Sequence, residues 1–249
     1  MLEVAPEIFA LLIAAAFAAG VIDAIAGGGG LITVPVLLIA GAPPATALAT
    51  NKLQAVFGSG GAAYAYARGG HVDLWAQRYD ALLAAFGAAI GAGLALTLSP
   101  DLLMKVLPVL LIAVALYFGL KPSIGAVEAE PRFPPWLFTA LIPPVIGFYD
   151  GILGPGTGSF FMLAFVALGG YGILRATAHT KLLNFASNFG ALVIFVIFGT
   201  PWWITGLAMG AAQWIGAQVG ARLAMRVGGR IIRPLLVVTS LALALKLLL

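Results

Sequence analysis

The sequence predicts an all-α, polytopic transmembrane protein built from two inverted repeats of about five segments each, with a glycine-broken helix in each repeat. Three observations predict this fold class. Apolar residues make up 62% of the 249 residues and charged residues only 9%, whereas soluble domains are about 45–50% apolar. The apolar residues cluster in blocks long enough to be membrane segments. The order of long and short blocks also occurs twice along the chain.

The blocks define one membrane domain that covers residues 1–249. Those of the first half cover residues 7–26, 31–42, 45–67, 79–98 and 102–120, and those of the second half cover 134–153, 158–169, 173–198, 203–225 and 231–249. Residues 1–120 are repeat 1 and residues 136–249 are repeat 2. Charge, Gly and Pro concentrate in residues 121–135, which are interpreted as the linker. The N-terminal segment carries Glu3 and Glu7 and no basic residue before its apolar run, unlike a signal peptide, and is taken as the first span.

Matching residues indicate that the second half is a duplicate of the first. At a spacing of 127 residues, Gly20, Asp23, Gly27 and Gly29 correspond to Gly147, Asp150, Gly154 and Gly156. At a spacing of 129 residues, Lys52 corresponds to Lys181. Glycine matches arise by chance in such a composition, but paired Asp and Lys do not. Internal repeats of this kind are typical of secondary transporters.

The basic residues favour an inverted relation between the repeats. If each half crosses the membrane five times, the loops at 68–78, 121–133, 170–175 and 226–233 share one side. Eight of the 13 basic residues then lie there: Arg68, Arg78, Lys121, Arg132, Arg175, Arg226, Arg230 and Arg233. Four crossings in each half would separate the two arginine-rich loops, which the positive-inside rule disfavours. Both termini are then expected outside, although short blocks of about twelve residues are also compatible with re-entrant segments.

The glycine-rich motifs are expected to break a helix in each repeat. GVIDAIAGGGGLITVP contains Asp23 and Gly27 to Gly30, and its counterpart GFYDGILGPGTGSFF contains Asp150. Glycine costs about 1 kcal/mol and proline about 3 kcal/mol inside a helix. After each break a half-helix begins, and its free N–H groups at Leu31–Thr33 and Gly158–Phe160 are expected to bind an anion. The alternative is that these glycines only allow close helix packing.

Two lysines lie in apolar blocks, where a charge costs about 2.5–3.5 kcal/mol on insertion scales. Lys52 has Thr50, Asn51 and Gln54 as neighbours. Lys181 belongs to a polar stripe at helical spacing, which consists of Thr177, Lys181, Asn184 and Asn188. A lysine surrounded by amides and hydroxyls suits a small oxyanion. The alternatives are that each lysine extends to the headgroups or pairs structurally with Asp23 or Asp150.

The candidate site therefore combines both motifs from both halves. The candidate substrate-binding residues are Lys52, Lys181, Thr50, Asn51, Gln54, His179, Thr180, Asn184, Gly28, Gly29, Gly30, Gly156, Thr157 and Gly158. His179 stands two residues before Lys181 and could bind substrate, carry a proton, or be a loop or capping residue. Asp23 and Asp150 either mediate proton coupling or balance the charge of the lysines. No metal or catalytic residue is predicted.

Several classes of protein are excluded or disfavoured. The chain has no cysteine and two histidines, so it lacks a thiolate or His-rich metal site. There is no HExxH or GxSxG motif and no spaced catalytic carboxylate pair, so an enzyme is not expected. The basic residues form no patch with interleaved aromatics, so nucleic acid is not an expected partner. No cofactor is expected.

The chain resembles the sulfite exporter TauE/SafE family, also called toluene sulfonate uptake permeases. The resemblance rests on GVIDAIAGGGGLITVPVLL followed by ATALATNKLQAVFGS, and on the weaker pair GFYDGILGPGTGSFF and RATAHTKLLNFASN. It implies an inner-membrane carrier of small anions such as sulfite, sulfonates and related organic acids. The glycine-rich segments of the family correspond to Gly27 to Gly30 and to Gly154, Gly156 and Gly158. Its Thr/Asn/Lys segments correspond to Thr50 to Lys52 and to Thr180, Lys181 and Asn184. Pro155, Thr157 and His179 depart from the pattern of the first half.

We therefore expect a multi-pass secondary transporter of a small anion in the cell inner membrane, coupled to protons. The expected substrate is sulfite, a sulfonate or a related sulfur-containing organic acid. An anion channel on the same repeat architecture and a transporter of a small carboxylate are the alternatives. A purely structural membrane protein would not explain paired intramembrane Asp and Lys. The expected partners are the anion, the lipid bilayer, protons and, in a homodimer, a second copy of the chain.

Overall fold

The chain folds into helices with no β-strand over the residues that the computed structural model describes, which are 3–97, 128–232 and 234–238. The helices bounded in these ranges are α1 (Pro6–Ala26), α2 (Gly30–Ile39), α3 (Pro44–Arg68), α4 (Arg78–Ala95), α5 (Pro135–Ile152), α6 (Thr157–Ala167), α7 (Ile173–Phe198) and α8 (Trp203–Val227). The all-helical fold class is confirmed for these residues. The predicted block 102–120, residues 121–127 of the linker and the end of the last block lie outside them.

Two of the described helices are long and apolar enough to cross a bilayer by length and composition. They are α1, with 21 residues and a mean hydropathy of 2.5, and α7, with 26 residues and a mean hydropathy of 1.8. Helices α3 and α8 have 25 residues each, a length of about 37 Å at 1.5 Å per residue. Their sequences interleave glycine and polar residues with apolar ones, because both helices line the polar centre described below.

The two short helices turn back along the helices that precede them. Leu37 of α2 packs in one apolar cluster with Leu12 and Ala16 of α1, so α2 returns towards the end at which α1 begins. At the end of α6, the carbonyl of Leu168 accepts hydrogen bonds from the N–H groups of Arg132 and Phe133, which directly precede α5. Helices α1 and α2 therefore form one hairpin, and α5 and α6 form another.

These hairpins correct the expectation that the short blocks cross the membrane. Helix α2 has 10 residues and α6 has 11, which is about 15–17 Å, roughly half of a hydrocarbon core of about 30 Å. Each short helix is therefore a half-length return segment and not a full span. The chain nevertheless reverses direction at each of them. The described parts of the loops that were grouped on charge, which are residues 68–78, 128–133, 170–175 and 226–232, therefore still lie at one end of the bundle.

Each hairpin packs closely on a helix of the other half. A Cβ at Gly216 of α8 would lie 2.2 Å from the carbonyl oxygen of Phe17 of α1. A Cβ at Gly91 of α4 would lie 2.1 Å from the carbonyl oxygen of Phe148 of α5. Only glycine permits such close backbone contact. The first helix of each half thus packs on the fourth helix of the other half through Gly91 and Gly216.

The bundle has two chemically different ends. The basic end is formed by residues 69–77, 128–134, 168–172 and 228–230, which surround one large open pocket. Arg68, Arg78, Arg132, Arg175, Arg226 and Arg230 lie in or beside these segments. The acidic end carries Glu3, whose carboxylate accepts the N–H groups of Ile204 and Thr205 at the start of α8. Lys121 and Arg233, which the charge argument also counted, lie outside the described residues.

Candidate functional site

The glycine motifs interrupt the helices where the sequence predicts a break. Gly27 and Gly28 have φ angles of 79° and 98°, and Gly154 and Gly156 have φ angles of 89° and 87°. These are left-handed conformations that glycine adopts without strain. A Cβ at Gly27 would lie 2.7 Å from the carbonyl carbon of Gly158. The break in one half therefore touches the half-helix of the other half at the centre of the bundle.

The two lysines are buried at this centre and pair with aspartates of the opposite half. Lys52 is 1% exposed, and its Nζ lies 2.7 Å from Oδ1 of Asp150. Lys181 is fully buried, and its Nζ donates to the main-chain carbonyl of Asp23 and lies 3.8 Å from Oδ2 of the same residue. The interpretation that the lysines pair with Asp23 and Asp150 is confirmed, and extension to the headgroups is wrong.

Each aspartate also holds the loop that follows its own helix. Oδ1 of Asp23 accepts the N–H of Gly29 at 3.1 Å. Oδ1 of Asp150 accepts the hydroxyl of Thr157 at 2.8 Å. Each carboxylate therefore fixes its glycine break while it also faces a lysine from the other half, so the two pairs join the halves at the centre.

A small cavity lies between the two breaks, with a volume of about 20 Å³. A cavity of this size holds about one water molecule. Its lining is almost entirely polar or glycine and comes from both halves: Asp23, Gly28, Gly29, Gly30, Asn51, Ala55, Asp150, Gly154, Thr157, Gly158, Asn184, Asn188 and Gln213. We call it the central cavity. Lys52 and Lys181 are beside it, because each has its Nζ within 4 Å of where a Cβ at Gly154 or Gly158 would lie.

Most of the predicted site residues meet at the central cavity. Asn51, Asn184, Thr157, Asp23 and Asp150 line it, as do four of the predicted glycines. Gln54 does not line it but donates from Nε2 to Oδ1 of Asn51 at 3.2 Å. Gly156 supplies the left-handed residue directly before α6.

Three predicted residues lie away from the cavity lining. The hydroxyl oxygen of Thr50 accepts the N–H of Trp202 at 2.9 Å, near the acidic end. Thr180 is fully buried and does not line the cavity. His179 lines the pocket at the basic end, where Nδ1 lies 3.0 Å from the carbonyl oxygen of Arg175 and the ring packs against Tyr171. The reason is geometry: residues 179 and 181 are about 200° apart around α7.

Most of the N–H groups at the starts of α2 and α6 already have hydrogen-bond acceptors, contrary to expectation. The N–H groups of Leu31, Ile32 and Thr33 already donate to the carbonyls of Gly28 and Gly29. Those of Ser159 and Phe160 donate to the carbonyl of Gly156. Tight first turns satisfy these five donors, so the expectation that they are free for an anion is wrong for them; Gly158, the sixth residue of the expectation, lines the central cavity. The predicted side-chain donors around the cavity are Lys52, Lys181, Asn51 and Asn184.

Sequence reasoning missed Gln213 and did not include Asn188 among the candidate residues. Gln213 of α8 is 2% exposed and lines the cavity. Its side chain packs on Gly58 of α3, where a Cβ would lie 2.7 Å from Cδ. The signal was the pair of amides Gln213 and Gln218 in the otherwise apolar run AMGAAQWIGAQVG, because polar side chains in membrane helices usually face the bundle interior.

Comparison with known proteins identifies the family. The sequence profile described as sulfite exporter TauE/SafE matches residues 12–247. The chain belongs to the TauE/SafE family. This TauE/SafE chain is 57% identical over 248 residues to "Probable membrane transporter protein ORF9" of Sinorhizobium sp, covering 100% of the chain and 95% of the relative.

Two further relatives carry similar names. "Probable membrane transporter protein YfcA" of Escherichia coli K12 is 43% identical over 245 residues, which is 98% of the TauE/SafE chain and 91% of the relative. A "Probable membrane transporter protein" of Haemophilus influenzae is 40% identical over 245 residues, which is 98% of the TauE/SafE chain and 96% of the relative. No solved structure matches the chain. The TauE/SafE chain is therefore a membrane transporter and not an enzyme, and the resemblance seen in its motifs is confirmed.

Proposed function

We propose that this protein is a multi-pass secondary transporter of a small anion in the inner membrane, built from two inverted repeats. One observation carries the proposal: two buried lysines from opposite halves lie beside a polar cavity at which two glycine breaks meet. Buried cations at a break in the helices suit an anion. The sulfite exporter name of the family favours sulfite, a sulfonate or a related sulfur-containing organic acid.

The charge balance of the site supports proton coupling. Lys52 and Lys181 carry two positive charges, and Asp23 and Asp150 carry two negative charges, so the ionised centre is neutral. An anion would add a negative charge in a region where water cannot screen it. A proton taken up with the anion keeps the centre neutral, so the energetic cost of moving the anion through the protein is lower.

The size of the central cavity favours a carrier over a channel. An oxyanion such as sulfite is several times larger than a water molecule, whereas the cavity has room for about one. Anion binding must therefore widen the site, which is expected of a carrier that alternates between closed and open states. The α1–α8 and α4–α5 contacts, where glycines allow backbone to touch backbone, provide two stiff units for such a movement.

The distribution of charged residues favours one orientation of the protein in the membrane. Arginines concentrate at the basic end and Glu3 and Glu7 lie at the other end, so the positive-inside rule places the basic end in the cytoplasm. The α1–α2 hairpin starts from the acidic end and the α5–α6 hairpin starts from the basic end. The two hairpins therefore begin at opposite ends of the bundle, as expected of inverted repeats.

The test is solid-supported-membrane electrophysiology on purified protein in proteoliposomes. The anions are sulfite, sulfate, ethanesulfonate and acetate, each with and without a pH gradient. We expect a saturable signal for at least one anion, and loss of that signal in both Lys52→Gln and Lys181→Gln. Arg222→Gln, which removes an exposed charge on α8, is the matched control and should keep the signal.

Two outcomes would contradict the proposal. Normal anion binding by both lysine variants would show that the lysines do not form the site. A linear, voltage-driven current without saturation would favour the anion channel. A signal for acetate and none for the sulfur anions would keep the carrier and change its substrate to a small carboxylate.

A further inference from the structure

The two aspartates of the central cavity differ in how many of their oxygens have a partner. Asp150 is 1% exposed and lines the cavity. Its Oδ1 accepts from both Lys52 and Thr157, at 2.7 and 2.8 Å. Its Oδ2 is buried and has no hydrogen-bond partner among the described residues. A buried acceptor without a donor costs about 1–3 kcal/mol, so this oxygen is poised to gain one.

The second oxygen of Asp23 differs from that of Asp150 because it is less deeply buried and has an ion-pair contact, although it accepts no hydrogen bond. Its Oδ1 accepts the N–H of Gly29, and its Oδ2 faces the ammonium of Lys181 at 3.8 Å. Both oxygens of Asp23 therefore interact with groups that favour the ionised carboxylate. Protonation weakens the attraction of either aspartate to its lysine. At Asp23 the free oxygen is the one that faces Lys181, whereas at Asp150 the proton goes to Oδ2, which has no partner, and the hydrogen bonds of Oδ1 from Lys52 and Thr157 stay in place.

The groups around Asp150 leave Oδ2 as the place for a proton. Lys52 of α3 and Thr157 of α6 both contact Oδ1, and Tyr149 of the same helix donates its hydroxyl to the carbonyl of Pro155. On α7, Nδ2 of Asn188 donates to Asn184. On α8, Oε1 of Gln213 is a second buried acceptor without a donor. The charged groups across the cavity are Asp23 and Lys181.

We propose that Asp150, and not Asp23, takes up the coupling proton on Oδ2 when the anion binds. A hydronium ion from the aqueous solution transfers a proton that forms an O–H bond at Oδ2 and leaves a water molecule behind. The carboxylate becomes a neutral acid, and Oδ1 still accepts from Lys52 and Thr157. The attraction between Asp150 and Lys52 falls, so the ammonium of Lys52 becomes available to the incoming anion. The net charge of the centre is unchanged, because one proton and one monoanion enter together. This inference rests on the proposed anion transport.

The experiment uses full-length protein in proteoliposomes with ethanesulfonate, an anion that stays ionised at every pH used and so carries no proton itself. Uptake driven by an inward proton gradient is compared with exchange of labelled for unlabelled anion at equal pH. For Asp150→Asn we expect gradient-driven uptake to fall at least tenfold while exchange persists. For the matched variant Asp23→Asn we expect any loss to affect both modes alike, because that residue positions the loop and Lys181.

A second pair of variants covers the case in which Asp150→Asn does not assemble. Asp150→Glu keeps a titratable group but moves it, so the pH at which ethanesulfonate binding is half-maximal should shift. Asp23→Glu should leave that pH unchanged. Proton uptake measured with a dye in weak buffer should give one proton for each anion bound by the wild type.

The outcomes separate this inference from the proposed function. If the wild type transports none of the anions, the proposed function fails and this inference with it. If the wild type transports them but Asp150→Asn keeps gradient-driven uptake, only the assignment of Asp150 is overturned. Loss of gradient-driven uptake alone in Asp23→Asn would assign the proton to the other half.

Discussion

The two halves of the central site carry the same residues in different arrangements. Lys52 and Asp150 form a direct pair at 2.7 Å, which Thr157 also supports. Lys181 and Asp23 are 3.8 Å apart, and the Lys181 ammonium donates instead to the main-chain carbonyl at the end of α1. The two halves therefore carry matching lysine and aspartate residues, but the conformation gives the two pairs different contacts. The side chains of Lys52 and Asp150 are in direct hydrogen-bond contact, whereas those of Lys181 and Asp23 are too far apart for a hydrogen bond.

The largest expected difference between the two pairs comes from removing the aspartates. Asp150→Ala should destabilise the protein by about 3–5 kcal/mol, because it leaves the Lys52 charge buried without a partner. Asp23→Ala should cost less, because Lys181 keeps the main-chain carbonyl as an acceptor. The measurement is the free energy of unfolding in detergent micelles. The double variant Lys52→Met with Asp150→Ala should recover much of the loss, and equal effects of the two single variants would contradict the comparison.

Alanine substitutions at the equivalent glycines Gly27 and Gly154 provide a second comparison of the two halves. Both have positive φ, so alanine strains either position by about 1–3 kcal/mol. At Gly27 the new Cβ would also meet the backbone of Gly158 at 2.7 Å, which adds about 1–3 kcal/mol of overpacking. At Gly154 it would meet the flexible end of Lys52 at 2.8 Å.

Gly27→Ala should therefore lower the melting temperature more than Gly154→Ala does. Gly154→Ala should instead disturb the Lys52–Asp150 pair and affect transport more than stability. Thermal unfolding and anion uptake, measured on the same preparations, distinguish the two effects. The reverse order of melting temperatures would contradict the close backbone contact described between Gly27 and Gly158.

The smallest expected difference concerns Glu3, which is bound at the start of α8, and Glu130, which is exposed. Burial raises the pKa of Glu3, but hydrogen bonds from Thr205 and from the N–H groups of Ile204 and Thr205 outweigh it, so the net pKa is lowered. A lowered pKa stabilises the fold above the ordinary value of about 4.3, and this contribution is lost as the pH falls through the folded-state pKa.

Glu3→Gln should lower stability by about 0.3–1 kcal/mol at neutral pH, because the charge lies at the start of α8. The difference from the wild type should shrink as the pH is lowered towards and below 4. Glu130→Gln, at an exposed residue, is the control and should change little. Unfolding measured at several pH values tests this, and an effect of Glu3→Gln that does not depend on pH would contradict the role of the charge.

Much of this arrangement could be predicted from the sequence, because the signals are local or repeated. Paired Asp and Lys at fixed spacing indicated a shared site, and glycine with proline indicated the helix breaks. Three features could not be predicted. Composition does not reveal whether a short apolar block crosses or returns. His179 was grouped with Lys181 because it stands two residues before it, but helical geometry turns it to another face of α7, where it lines a different pocket. Gln213 reaches the cavity only through packing between α8 and α3.

The pairing of the first helix of each half with the fourth helix of the other has a consequence for synthesis of the chain. Phe17 of α1 packs against Gly216 of α8, so about 200 residues must be made before α1 meets this neighbour. At typical rates of about 5–20 residues per second, that takes roughly 10–40 s. During this time the first helix lies in the membrane without its main partner. The halves must therefore complete each other after insertion, and co-expressed separate halves should assemble where either half alone should not.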